Sequence, residues 1–285
     1  MENLEKIKCP LCGAEKEKFL FERDGFRVVK CLDCDLVYLN PRLTLEALTK
    51  LYNEGEISPE KYYEMNIPQD TSNFKKRLQL IMKHHPTPGK MLDIGCNIGT
   101  LMHVAQEKGW ETTGVEFNTK AAAFGREKFG LEIIDKDFME TKLPEDHFDV
   151  VSMNDVIEHV IDPIMTLEEV NRIMKRGGLL FMTTPNIGAL MAKISGKKWL
   201  HIKPNEHLTY FTPQTIKKLV EKTGFEMKGW QTIGRIRNLE TIMQKTQTYS
   251  KIPYAVSKII PMKLKESINI PINPMDEMAV FAVKK

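Results

Sequence analysis

From Lys90 onward, short apolar runs alternate with amphipathic stretches, the pattern of a parallel sheet flanked by helices. Met91 to Ile94 reads as the first strand and Gly95 to Gly99 as the turn that follows it. Thr100 to Lys108 is then a helix, with Leu101, Val104 and Ala105 at helical spacing and Gly109 as its stop. Later apolar runs fall at Thr113-Gly114-Val115, Leu131 to Ile134, Phe148 to Met153 and Gly177 to Pro185. Ahead of this alternation, Thr44 to Tyr52 and Asn73 to His84 predict two helices, striped by Leu45, Leu48 and Leu51 and by Leu78, Ile81 and Met82. Such helices suit a lid, and Tyr62 and Tyr63 between them suit either core packing or a ligand contact.

The first 39 residues follow another pattern. Cys9-Pro10-Leu11-Cys12 and Cys31-Leu32-Asp33-Cys34 form two C-x2-C pairs separated by eighteen residues. Each pair can fold into a knuckle aiming two thiolates at one point, and two knuckles supply the four soft ligands of a closed, structural zinc site. Between them Phe19, Phe21, Phe26, Val28 and Val29 predict a hairpin too small to be stable without a metal. Two disulfides are the alternative.

Composition narrows the class. With 41 basic and 38 acidic residues the net charge is +3, too small for the field of a dedicated nucleic-acid binder, although RNA stays open. No apolar run approaches a membrane span, and Met1 to Lys8 is polar rather than signal-like. The cytoplasm is the expected compartment, where paired cysteines point to metal before disulfides. The expected organisation is a zinc-ribbon-like module (1–39), a helical lid or linker region (40–88) and an α/β core (89–285) interrupted by an insertion at about 234–275.

The loop after the first strand carries the cofactor chemistry. A dinucleotide fingerprint would need glycines where Gly95, Asn97 and Thr100 stand, so two of three are missing and NAD is disfavoured. Gly95 and Gly99 instead permit close backbone approach, and Asp93 at the strand end can attract a ligand's ammonium group. Glu116 ends the second apolar run, where a carboxylate can accept ribose hydroxyls. Asp137 and Phe138 close the third, offering an acceptor for an adenine amino group and an apolar wall.

These residues carry a resemblance. Leu92-Asp93-Ile94-Gly95-Cys96-Asn97-Ile98-Gly99 resembles the first motif of class I S-adenosylmethionine methyltransferases, and Gly114-Val115-Glu116 their second. The stretches Phe148 to Met153 and Gly177 to Pro185 are similar to their fourth and fifth strands. The resemblance implies a Rossmann-like sheet of seven strands, the last antiparallel and best placed at Glu277 to Val283. It implies S-adenosylmethionine as cofactor, held by Asp93, Gly95, Cys96, Asn97, Gly99, Glu116, Phe117, Asp137, Phe138 and Asn154.

A narrower likeness follows. Asn154 to Pro163 is similar to the segment after the fourth strand in ubiquinone-biosynthesis O-methyltransferases. The cysteine module, Leu36 to Arg42, and Glu206-His207-Leu208-Thr209-Tyr210-Phe211-Thr212 resemble small-molecule methyltransferases of glycan and natural-product pathways. In the ubiquinone type, acidic residues and a histidine matching Asp155, Glu158 and His159 are associated with metal. Their spacing at i, i+3 and i+4 would gather all three on one helical face, as cation ligands, as a base at His159, or as packing groups at a helix start where Asp162 is the expected N-cap and Pro163 the first helical residue. His207 competes for the base, with Tyr210 and Phe211 as walls of an acceptor pocket.

The reading that unites these features is methyl transfer to a hydroxyl of a small molecule, such as a sugar, a quinone-like isoprenoid or another metabolite. An RNA methyltransferase docking its substrate on the ribbon is the second reading, and a non-catalytic Rossmann-like binding module the third. The segment Gly188 to Pro204, with Lys193, Lys197, Lys198 and Lys203, suits phosphate on an acceptor or a solvated loop. The insertion suits a lid, a dimer contact or a peripheral membrane contact.

Overall fold

The structure, a computed structural model, describes residues 3–48, 60–246 and 260–285. The second half of the helix expected from Thr44, the Tyr62 side chain and the middle of the insertion, with Ile252, Tyr254, Val256 and Ile259, lie outside the described residues.

The amino-terminal module consists of β1 (Leu4–Glu5), β2 (Glu17–Arg23), β3 (Phe26–Cys31), β4 (Val37–Leu39) and β5 (Arg42–Leu43). β2 and β3 form the expected hairpin, and Gly25 turns it at φ 82°. One helix, α1 (Glu60–His84), then leads into the core.

The alternating pattern folds as β6 (Lys90–Ile94), α2 (Thr100–Gln106), β7 (Glu111–Val115), α3 (Thr119–Phe129) and β8 (Ile133–Ile134). It continues as β9 (Phe148–Asn154), α4 (Pro163–Ile173), β10 (Met174–Pro185), α5 (Leu190–Ser195), β11 (Thr209–Tyr210), α6 (Pro213–Lys222) and β12 (Phe225–Thr232). The insertion contributes β13 (Arg235–Asn238), α7 (Leu239–Thr246), α8 (Met262–Ser267) and β14 (Asn269–Ile272) before the last strand, β15 (Glu277–Lys284). Helix ends follow local chemistry: Asp162 caps α4 by accepting from Met165 N–H at 2.9 Å, with Pro163 behind it, and Asn118 caps α3 through the amides of Lys120 and Ala121.

Seven strands form one sheet in the order β12-β15-β10-β9-β6-β7-β8. β6 to β10 run parallel, and β15 is antiparallel to both its neighbours, as expected from the seven-stranded likeness. The order reverses between β6 and β9, where Asp93 pairs with Ser152. In open α/β sheets this switch point opens a crevice at the carboxyl ends of the strands.

Both faces of the sheet are covered. Leu78 and Ile81 of α1 and Leu101 and Val104 of α2 pack with Met91, Val150, Phe181 and Phe281. On the other face α4 and α6 bring Leu167, Val170, Ile216 and Leu219 against Leu92, Val151, Leu180 and Val280, and this core continues into the cysteine module through Leu11, Cys34, Leu36 and Tyr38. Burial of this kind contributes roughly 1.5–3 kcal/mol per large apolar side chain. The module is thus part of the main core. Its sheet, ordered β11-β4-β3-β2, even takes its edge strand β11 from beyond β10.

Candidate active site

The loop from Gly95 to Gly99 wraps the end of β6. Gly95 has φ 67°, and a Cβ there would come within 2.5 Å of Val156. Gly99 has φ 75°, and its Cβ would reach Leu131 at 2.3 Å. Asn97 adopts φ 52° between them, a conformation asparagine tolerates better than most residues. Gly95 lets the loop approach the segment after β9, and Gly99 lets it approach Leu131 and Ile133 beside β8, so the loop forms a backbone cradle at the end of β6.

Around the cradle stand the acids. Asp93 is buried and accepts a 2.5 Å hydrogen bond from the Ser152 hydroxyl. Burial raises its carboxyl to about 7, against the pull of Ser152. Each oxygen of Glu116 accepts one backbone N–H, from Asn97 and from Asn118, both at 2.8 Å, and burial raises this carboxyl too. Each oxygen still has a lone pair for a ribose hydroxyl. Phe117 is largely exposed beside it.

Four expected cofactor contacts are committed elsewhere in whole or in part. The Cys96 side chain turns into the core with Met102, Ala122, Leu131 and Ile133, so only its backbone faces the loop. Phe138 is buried in the main core, and Asp137 caps the short 3-10 turn Phe138–Glu140 by accepting from Met139 N–H at 2.8 Å. Its second oxygen is the one that can meet an adenine. Asn154 ends β9, and its Oδ1 accepts from Arg77 of α1 at 3.1 Å. Arg77, buried beside Asn154 and Asp155, was not expected, because on a helix with a leucine stripe nothing distinguishes it from a surface base.

The expected trio of Asp155, Glu158 and His159 does not form. The stretch after β9 is a succession of turns rather than a helix, with Asp155 at φ 57°, so the i, i+3, i+4 spacing gathers nothing. Asp155 instead meets Arg235 of β13 at 2.6 Å, Arg77 at 3.6 Å and the Thr183 hydroxyl at 3.0 Å. Burial works to raise its carboxyl, but the two guanidiniums outweigh burial and hold it well below the usual range. Arg235 also pairs with Glu277 at 2.6 Å.

His207 takes the place of Asp155. Glu158, His159 and His207 each offer a ligand atom within 4.8 Å of the others. The imidazoles of His159 and His207 meet edge to face, 4.7 Å between centroids, and His201 stacks 6.4 Å beyond His207. The Thr184 hydroxyl at the end of β10 donates to Glu158 Oε2 at 2.9 Å, while Glu158 Oε1 and His207 Nδ1 are buried with no hydrogen-bond partner among the described residues. Burial and the neighbouring Asp155 raise Glu158 to about 8. Burial, then the neighbouring His159 and Lys203, lower His207 to about 2. At neutral pH the cluster therefore holds its proton on Glu158 and presents neutral imidazoles.

In the amino-terminal module the sulfurs of Cys9, Cys12, Cys31 and Cys34 converge, with Cys9 and Cys34 3.5 Å apart, Cys12 and Cys31 3.6 Å apart, and no disulfide between them. The tetrahedral edge implied by zinc–sulfur bonds of about 2.3 Å is about 3.8 Å, so the four thiols fit that ion. Without a cation, burial pushes the Cys9 thiol up to about 11 and Cys34 higher still.

A seven-stranded sheet in this order, with a glycine loop at its switch point and an acid at the end of the second strand, is the fold of class I S-adenosylmethionine-dependent methyltransferases. A family model described as a methyltransferase domain matches residues 68–228, more than half of the chain, and the chain belongs to that family. Among curated relatives, a ubiquinone biosynthesis O-methyltransferase from Nitrosospira multiformis is 27% identical over 166 residues, 53% of this chain and 69% of that protein. Another of the same name, from Dinoroseobacter shibae, is 32% identical over 158 residues, 50% of this chain and 62% of that one. The chain thus matches roughly two thirds of these relatives' own length. Among solved structures, S-adenosylmethionine-dependent methyltransferases from Thermotoga maritima (TM-score 0.54, 17% identity, 85% of this chain and all of that one) and Archaeoglobus fulgidus (TM-score 0.53, 22% identity, 78% and 99%) share the fold.

Proposed function

We propose that this methyltransferase acts on a hydroxyl of a small molecule, bound at the Glu158-His159-His207 cluster. The observation that carries the reading is this cluster itself: buried Glu158 and His207 and half-buried His159, in the segments that follow β9 and β10, with one atom of Glu158 and one of His207 unsatisfied among the described residues. The O-methyltransferase names of the relatives support the acceptor type.

S-adenosylmethionine supplies the methyl group on a sulfonium that is already a good leaving group. The protein must then align the acceptor oxygen in line, exclude water and take one proton. A bond forms from acceptor oxygen to methyl carbon, the carbon–sulfur bond breaks, and the acceptor's proton leaves to the cluster. Asp93 would face the cofactor's ammonium, Glu116 its ribose and Asp137 its adenine, over the backbone of Gly95 to Gly99. Neutral His207 or His159 takes the proton in the form of the protein whose Glu158 has released its own proton to solvent, because a carboxylate alongside raises the basicity of an imidazole. That form predominates above pH about 8. Glu158, His159 and His207 would equally hold a divalent cation, which would bind the acceptor oxygen and lower its pKa. Four cysteines hold a structural zinc, consistent with a reducing, cytoplasmic setting.

The test is to incubate the protein and labelled S-adenosylmethionine with cell extract and fractionate the label. Entry of label into small molecules, lost with His207→Ala and Glu158→Gln, is the expected result. Label entering RNA would replace this reading with the ribbon-docked one, and label entering nothing, with the cofactor tightly bound, would leave a binding module.

A further inference from the structure

The cysteine module frames the acceptor cluster on both sides. β4 pairs with β11, matching Tyr38 to Thr209 and Val37 to Tyr210, and Leu39 N–H donates to the Leu208 carbonyl at 3.0 Å. His207 therefore lies two residues before the start of a strand that the module holds in register. Upstream, the Arg23 guanidinium at the end of β2 donates to the carbonyls of Lys197 and Trp199 at 2.7 and 2.8 Å, gripping the loop that carries His201. On the far side, Arg42 of β5 donates to the Ile161 carbonyl at 2.6 Å, two residues past His159. The two halves then meet directly, since Leu208 and Thr209 both donate their backbone N–H to the Glu158 carbonyl, at 2.8 and 3.2 Å. Apolar packing follows the same seam: Val28, Val37 and Leu39 of the module enclose Trp199, Ile202, Leu208 and Tyr210.

The cofactor cradle shares apolar core with the module, but among the described residues its hydrogen bonds run elsewhere: Asp93 accepts from Ser152 of β9, and Glu116 accepts from the backbone of Asn97 and Asn118.

We infer that the zinc module is the positioning element of the acceptor half of the site, so that zinc occupancy controls the placement of His207 and leaves the cofactor half intact. The inference rests on the reading of His207 as an acceptor-side residue, but its structural content is tested without the acceptor. A closed four-thiolate zinc site fixes the two knuckles, the knuckles fix β3 and β4, and β4 fixes the backbone of Leu208 to Tyr210. Without the metal the hairpin loses its staple and β11 loses its partner strand. The loop carrying His201 and His207 then becomes a low-stability segment that opens independently of the main sheet.

The full-length protein is treated with diethyl pyrocarbonate before and after removal of zinc by chelation, and modification of His207 is followed by peptide mass spectrometry. S-adenosylmethionine affinity is measured by calorimetry on the same samples. The expected result is an increase of about tenfold or more in the rate of His207 modification, reversed by added zinc, with cofactor affinity changed less than about threefold. Protection of His207 in zinc-free protein whose module amides exchange freely would overturn the inference. So would parallel loss of cofactor binding, which would make the module a support of the whole fold. If the zinc-free chain precipitates, the double variant Arg23→Ala/Arg42→Ala, which keeps all four thiols, carries the test, and unchanged His207 reactivity there overturns it. Released His207 with undiminished methyl transfer would uphold the positioning role while removing His207 from the proton transfer.

Discussion

His159 and His207, 48 positions apart in sequence, meet edge to face with ring centroids 4.7 Å apart. Neither belongs to a regular helix or strand. Each stands on a turn beyond the carboxyl end of a parallel strand, and the Glu158 carbonyl, shared by Leu208 and Thr209, locks the two turns together. A proton or a cation placed between them is shared by Glu158 as well.

Cation binding at this cluster should depend steeply on pH. Below about 8 Glu158 holds a proton that a cation must displace. Mn2+ affinity should therefore rise by about tenfold per pH unit up to about 8 and then level off, as expected for release of one proton. Titration calorimetry at three pH values checks this, and Glu158→Gln should abolish the slope. Pronounced Mn2+ binding with no pH dependence would remove Glu158 from the ligand set.

Cofactor binding carries its own proton linkage. Asp93 is protonated below about 7 in the free protein, while a cationic ammonium beside it favours the carboxylate. Affinity for S-adenosylmethionine should climb between pH 5.5 and 7, approaching about tenfold per unit at the acid end. Asp93→Asn should bind more weakly at pH 7 and show a flatter profile. Equal affinities for variant and wild type across this range would exclude Asp93 as the ammonium partner.

Gly95→Ala should damage the cradle more than its size suggests. The new methyl group would lie 2.5 Å from Val156 on a backbone at φ 67°, so both sterics and conformation oppose it. A stability loss of about 1–3 kcal/mol is expected. Cofactor affinity should fall with it, readable by thermal melting with and without S-adenosylmethionine.

Asp155→Asn addresses structure rather than chemistry. It removes the anion shared by Arg77 and Arg235 and leaves them the Glu277 carboxylate and the more distant Asp93. Arg77 is buried while Asp155 and Arg235 keep some contact with solvent, so a loss of about 2–3 kcal/mol is expected, below the range for a fully buried pair and measurable by urea denaturation. In the wild type, Asp155 contributes stability that is present above its unfolded pKa near 3.9 and is lost as pH falls toward its depressed folded value. Wild-type stability in the asparagine variant would show that the guanidiniums find water instead.

The sheet was legible because period and punctuation agree: each apolar run from Met91 to Pro185 ends in a glycine, an acid, an asparagine or a proline where the crevice lies. The cysteine cluster was equally plain, since four thiols at this spacing have few other uses. The acceptor cluster was read only in part. Spacing put Asp155, Glu158 and His159 on one helical turn, but positive φ at Asp155 breaks that turn, and an ion pair with Arg235 from 80 residues away claims its carboxylate. Cys96 belonged to the right motif, yet its side chain follows the core rather than the ligand. Arg77, Thr184 and His201 carried no local signal, because only the crossing of distant elements gives them their neighbours.

The Asn73 side chain behaves like a short piece of strand, donating to the Ile236 carbonyl at 3.1 Å and accepting from its N–H at 2.6 Å. Gln69, one turn earlier, accepts from Asn238 N–H at 3.3 Å. Helix α1 and the strand pair β13–β14 are thereby tied together, and with them Arg77 and Arg235. Any displacement of α1 relative to the end of β9 would draw on both guanidiniums' contacts with Asp155 at once, so the three side chains answer strain as a unit.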